Sequence, residues 1–126
     1  MITLGRVKVL GARVTDVKHK YWASLEIDKD IMEAAGLFEY EKILVVNIDN
    51  GERFETYVKA APAKTGRILV AGGAAKLAKV GDEIGFMVFS TVPEEMASGW
   101  KLKVVHLGES NKVQKIESGD PAEWDS

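Results

Sequence analysis

The chain has 126 residues, 46% hydrophobic and 29% charged, with a formal net charge of −2. That length suits one domain with a substantial core, and the near-neutral balance argues against a nucleic-acid binder working through phosphate contacts. With no cysteine there is no disulfide, thiolate nucleophile or Cys-based metal site; His19 and His106 stand far apart, and no apolar run reaches transmembrane length. No signal-peptide pattern opens the chain, so the expectation is a cytoplasmic protein with no metal, nucleic acid or membrane as partner.

Residues 2–15 read as extended, with Val7, Val9 and Val14 among polar neighbours and Gly5 and Gly11 as breaks or bulges. Residues 17–20 are polar and basic and read as a loop that delivers Tyr21, Trp22, Ala23 and Ser24 to a strand over 24–27. Asp28 is a good N-cap for a short helix over 29–35, and Gly36 suits its stop. The β-rich, nearly continuous apolar run over 42–49 predicts a strand buried on both faces. Asn50-Gly51 predicts a two-residue type I′ turn, after which 53–58 return as an alternating strand. Alternation puts Arg53, Glu55 and Tyr57 on one face and Phe54, Thr56 and Val58 on the other.

Further on, 61–66 reads as a loop with Pro62, 67–71 as a strand, and Gly72-Gly73-Ala74-Ala75 as the lead into a helical turn ending near Lys79. The glycine pair reads as a backbone requirement, not a dinucleotide fingerprint. A strand over 83–90, a helical turn over 93–97, a strand over 101–107 and a polar, partly disordered tail from about 108 complete the chain. Six or so short strands joined by brief helices predict a mainly β protein, a small closed barrel that associates with copies of itself.

A small residue before a serine at a strand entry has a chemistry of its own. If the Ala23 carbonyl carbon faces the Ser24 hydroxyl, the oxygen adds and converts the amide to an ester. Elimination leaves dehydroalanine, and hydrolysis of that leaves a pyruvoyl group on a new N-terminus. The chain would then carry an electrophilic ketone without binding any cofactor.

In order along the chain stand Lys8, Val14-Thr15, Tyr21 to Ser24, Ile27-Asp28, Asp30, Ala34-Ala35-Gly36, Asn50-Gly51-x-Arg53-Phe54-x-Thr56-Tyr57, Gly73-Ala74-Ala75 and Val80-Gly81-Asp82. With these elements the sequence resembles the pyruvoyl-dependent aspartate 1-decarboxylase family from residue 1 to about 120. The resemblance implies a single double-psi β-barrel domain over 1–126. It also implies a homotetramer with active sites at subunit contacts, and decarboxylation of L-aspartate to β-alanine for pantothenate synthesis through a Schiff base to the pyruvoyl ketone. Ser24 becomes the pyruvoyl precursor and Ala23 the new C-terminus. Thr56 matches the threonine that positions the carbonyl during processing, and Tyr57 the proton donor. Lys8 and Arg53 match the cations around the substrate carboxylates, and Tyr21, Gly73, Ala74 and Ala75 match the pocket lining. Some family members use an acetyltransferase-like maturation partner. By residue type alone, Lys8 and Arg53 would be solvated charges, Tyr57 a packing residue and Thr56 an ordinary β-former.

The chain departs from the family pattern at several of these positions. Ala23 replaces the usual glycine before the serine, where alanine costs about 1 kcal/mol in a strained backbone. The family's Lys-x-His-Arg reads Lys8-Val9-Leu10-Gly11, and its Asn-Gly-Ala-Ala reads Gly72-Gly73-Ala74-Ala75. Lys18 and Lys20 replace an acid and a histidine. Two alternatives therefore stand beside the aspartate reading. One is the same chemistry on a neutral amino acid such as methionine; the other is an unprocessed barrel serving as a binding or structural module.

Overall fold

The computed structural model describes residues 1–20 and 22–119. Its strands are β1 (Ile2–Arg13), β2 (Asp16–Lys18), β3 (Ser24–Asp28), β4 (Lys42–Asn47), β5 (Arg53–Ala61), β6 (Ile68–Ala71), β7 (Glu83–Val92), β8 (Leu102–Leu107) and β9 (Val113–Gly119). One α-helix, α1 (Lys29–Ala35), and three short 3₁₀ turns connect them. The protein is mainly β, as the strand pattern predicts. The strands follow one order, β2-β6-β3-β5-β4-β7-β1-β8-β9.

The helix has the predicted ends. Asp28 caps it by accepting from the Asp30 N–H at 2.7 Å, and Gly36 closes it in the left-handed conformation. The Asp28 carboxylate also accepts from the backbone N–H of Lys64 at 3.2 Å and Gly66 at 2.8 Å, so one buried acid joins β3, α1 and the β5–β6 loop. The core draws on both ends of the strand order. Val7, Val9, Leu25, Ile27, Ile31, Ile43, Val45, Val58, Ile68, Phe86 and Val105 are buried in one cluster.

Four local expectations are corrected. Residues 16–18 form a short strand, β2, pairing parallel with β6 through Asp16↔Leu69 and Val17↔Val70; ladder hydrogen bonds to a neighbour outweigh their polar composition. In β4, Ile43, Val45 and Asn47 are buried while Leu44 and Val46 are only half-buried. Its neighbours on both sides are antiparallel, and an antiparallel sheet commonly packs one face on the core and leaves the other partly open, so the apolar run does not mean burial on two. The β4–β5 connection is not a two-residue type I′ turn. Pairing ends with Val46↔Arg53, the Asn47 N–H reaches the Glu52 carbonyl at 2.8 Å, and Ile48–Gly51 form a four-residue loop. Only Gly51 in it has positive φ, and the Asn47 and Asn50 side chains accept from the N–H of Asp49 and Glu52, stabilising the longer loop.

The polar tail expected from about 108 is corrected as far as residue 119. β9 pairs antiparallel with β8 from Val113 to Gly119, preceded by a 3₁₀ turn at 109–111. Buried Asn111 anchors that turn: its side chain accepts from the Arg13 N–H at 2.8 Å and donates to the carbonyls of Arg13 and Gly66. Across the two strands His106 meets Glu117 at 2.8 Å. Lys115, and then His106, hold the Glu117 carboxyl below the usual carboxylate range.

A second buried polar group sits between β4 and β7. The Asn47 amide donates to the Leu77 carbonyl at 3.0 Å and to the Asp82 carboxylate at 2.9 Å, while the Lys79 N–H donates to the same carboxylate at 3.0 Å. These hydrogen bonds, Asn47 first, hold the Asp82 carboxyl below its ordinary range.

Candidate active site

Ser24 opens β3 and is 1% exposed. On one side β3 pairs antiparallel with β6, with Ser24 opposite Ala71; on the other it pairs parallel with β5, with Leu25 beside Val58. Continuing that parallel register by two residues sets Ala23 and Ser24 alongside Thr56 and Tyr57. The sheet thus brings together two segments more than thirty positions apart, which the sequence shows only as separate motifs.

The hydroxyls here are poorly satisfied. Ser24 Oγ donates only a long contact, 3.5 Å, to the Trp22 carbonyl. Thr56 Oγ1 is buried with no hydrogen-bond partner, one of two such side-chain atoms among the described residues, the other being Arg67 Nε. Buried hydroxyls are almost always paired, and leaving one unpaired costs about 1–3 kcal/mol. By the β3–β5 register Thr56 lies alongside Ala23, so its free donor is on the strand position next to the Ala23 carbonyl that precedes Ser24.

The third side of the site is glycine. Gly72 follows Ala71, has φ +82°, and lies so close to Ala23 that an added Cβ would stand 2.6 Å from its Cα, 2.8 Å from its N and 2.9 Å from its Cβ. The backbone requirement read from Gly72-Gly73 is therefore met at Gly72, whereas Gly73 has open space around it. Gly73 is exposed, Ala74 half-buried and Ala75 buried, all in the 3₁₀ turn Gly72–Lys76 directly after that contact.

Thr56 and Tyr57 face opposite sides of β5, because the β4–β5 register runs without a shift from Arg53 to Tyr57. The Tyr57 ring packs at 5.6 Å against Tyr40, whose own ring lies 5.8 Å from Lys59 Nζ. Tyr40 carried no signal in the sequence, since it belongs to a loop that only the fold folds back onto β5; its N–H binds the Val58 carbonyl at 2.7 Å. Arg53 is exposed at the start of β5, about 13 Å from Tyr57 along the strand. Lys8 is half-buried on β1, paired with Met87 and Val104, and β7, β4 and β5 separate its strand from β3. Within one chain the strand register sets Ala23, Ser24, Thr56, Tyr57 and Gly72 on adjacent strands, whereas Lys8 is on a strand that does not pair with any of theirs. Tyr21 lies outside the described residues.

Where the family pattern has His-Arg after Lys8, Leu10 and Gly11 form a bulge: Val9 pairs with Phe86 and Ala12 with Ile84, so both residues are fitted opposite Gly85. Gly11 has φ +82°, and a Cβ there would stand 2.6 Å from the Leu107 carbonyl oxygen, so position 11 of this bulge admits no side chain.

By class, then, this is a small mainly β protein whose candidate site is a buried strand-entry serine flanked by an orphaned hydroxyl and a glycine cradle. Among the described residues no cluster of His, Asp and Glu could hold a metal, and no helix is long and apolar enough to cross a membrane. Residues 1–114 match the sequence model of the family described as aspartate decarboxylase. The chain is 43% identical to an aspartate 1-decarboxylase of Campylobacter jejuni (strain 81-176) over 115 residues, 91% of this chain and 90% of that protein. It is 40% identical to the protein of that name from Caldicellulosiruptor saccharolyticus over 116 residues (92% and 91%), and 37% identical to that of Carboxydothermus hydrogenoformans over 115 residues (91% of each). The chain belongs to the aspartate decarboxylase family.

Proposed function

We propose that this chain is a pyruvoyl-dependent decarboxylase that converts L-aspartate to β-alanine and CO₂, after cleaving its own Ala23–Ser24 peptide. The observation that carries the reading is the buried Ser24 hydroxyl without a good acceptor, set alongside a Thr56 hydroxyl without any. Family membership and the aspartate 1-decarboxylase names of the relatives support it.

For processing, Thr56 Oγ1 donates to the Ala23 carbonyl oxygen and Ser24 Oγ adds to its carbon, giving an ester as the Ser24 nitrogen leaves protonated. Loss of the Ser24 α-proton expels the Ala23 carboxylate and leaves dehydroalanine, and water then releases ammonia. The surroundings are compatible with the product: Ser24 is buried, Gly72 presents no side chain to Ala23, and Thr56 Oγ1 has no partner of its own. The resulting pyruvoyl group supplies the electron sink that lets CO₂ leave. The chain's own residues do the rest: Arg53 and Lys8 hold the substrate carboxylates, and Tyr57 delivers a proton to the former α carbon. Tyr21 and residues 73–75 line the pocket. Thr56 and Tyr57 face opposite ways and Lys8 sits on a strand that does not pair with theirs, so one complete site draws on two copies of the chain. We therefore read the site as lying at a contact between copies of the chain, and take the assembly to be a cytoplasmic homotetramer as the family resemblance implies.

The test is intact mass of the purified protein followed by CO₂ release from aspartate, methionine and leucine. Two chains with a junction between Ala23 and Ser24, and turnover of aspartate, are expected. Cleavage only after addition of cell extract would show that a maturation partner is needed. Arg53→Lys keeps the charge but loses the two-pronged grip on a carboxylate, and lowers kcat/KM for aspartate by about ten- to a hundredfold with cleavage intact. A persistent full-length mass overturns the reading. A preference for methionine or leucine indifferent to Arg53 overturns the substrate.

A further inference from the structure

The contact between Gly72 and Ala23 does more than terminate a strand. Ser24 pairs with Ala71, so the residues just beyond that pair, Ala23 and Gly72, meet face to face at the end of the ladder. They meet without any room between them: a Cβ at 72 would fall 2.6 Å from Ala23 Cα and 2.9 Å from Ala23 Cβ, closer than non-bonded carbons approach. The left-handed φ of +82° at Gly72 adds a second reason for glycine, since an L side chain there is strained by roughly 1–2 kcal/mol. Ala23 carries the carbonyl that must be attacked. Its methyl is held against the bare backbone of Gly72.

We propose that Gly72 is the positioning residue for self-cleavage: it seats the Ala23–Ser24 peptide, and the side chain at 23 is tolerated only because 72 has none. This inference rests on the self-cleavage reading above. It assigns to one pair of residues the placement of the scissile carbonyl relative to Ser24 Oγ, where a misplacement of about 1 Å can cost about a hundredfold in rate. Glycine at 23 removes the methyl contact and lets the backbone there turn away, so it relieves a side chain introduced at 72.

The experiment follows the cleavage of freshly purified precursor by intact mass in four proteins: the parent, Gly72→Ala, Ala23→Gly and the double variant. Gly72→Ala is expected to cleave at least about tenfold more slowly, as a displaced near-attack geometry requires. Ala23→Gly should cleave within about threefold of the parent, and the double variant should recover most of the loss, a coupling that independent sites do not show. Asn47→Ala, destabilised at a distant polar cluster, serves as the control: it lowers Tm but cleaves at the parent rate, which separates positioning from loss of stability. If the parent cleaves and Gly72→Ala cleaves as fast, or the double variant is no faster than Gly72→Ala, the inference falls while the function stands. If the parent never cleaves, both fall.

Discussion

Around Asn47 and Asp82 no buried side-chain polar atom lacks a partner, whereas beside Ser24 one hydroxyl has none and another has only a contact of 3.5 Å. The polar atoms of both groups are buried, so burial does not separate them. What separates them is whether the hydrogen-bonding capacity is spent inside the protein. A satisfied cluster locks a loop and a strand together, and removing one member strands the others. An unsatisfied hydroxyl lowers stability, and such a group persists where a reaction or ligand uses the free capacity.

The largest expected effect is at Ser24. Ser24→Ala removes the attacking oxygen and should abolish both cleavage and decarboxylation, while stability changes by less than about 1 kcal/mol because only a long contact is lost. Intact mass and thermal unfolding of the same preparation check this; a borohydride-trappable adduct with amino acids in the variant would break the assignment.

Thr56→Val sharpens the comparison. It removes a buried hydroxyl that has no partner and keeps the shape, so the fold should be as stable as the parent or slightly more so. Cleavage, however, should slow by about a hundredfold, the usual worth of one donor to a developing oxyanion. Equal loss of stability and of rate would place Thr56 with the structural cluster instead.

Asn47→Ala is the mirror case. It takes a buried donor from the Asp82 carboxylate, which keeps only the Lys79 N–H, and one of two from the Leu77 carbonyl, which Asn50 still reaches, and should cost about 1–3 kcal/mol in denaturant unfolding, with the cleavage rate of folded protein unchanged.

The smallest effect is with pH. The Asp82 carboxyl is held below its ordinary range by Asn47 first and the Lys79 N–H second. A depressed folded-state value means a stabilising contribution that is present above the unfolded value and lost as pH falls through the folded one. Tm should therefore drop on acidification below about pH 4, and Asp82→Asn should flatten part of that drop. Identical acid profiles for parent and variant would remove Asp82 from the account.

Much of this was written locally in the chain. The helix 29–35, its Asp28 cap and its Gly36 stop follow from side-chain chemistry within a few residues, and the structure has them at those positions. The strands at 24, 42, 53 and 83 are likewise legible, because β-branched runs need only their neighbours on the ladder to be recognised. The motif that placed the chain in its family is a linear one too.

Other features depend on partners far away in sequence. The loop at 48–51 escaped the Asn-Gly rule because the Asn47 amide is drawn toward Leu77 and Asp82, thirty and thirty-five positions on. Residues 113–119 look polar enough for a tail, yet β8 offers an open edge whose backbone groups their own must pair. Sequence alone thus determined which residue types could attack, donate and bind, and where the serine stands. Only the tertiary structure decided that Thr56 would be buried without a partner and that Gly72 would be pressed against Ala23. Both depend on the register of β3 between β5 and β6, and register is a property of strands meeting, not of any strand by itself.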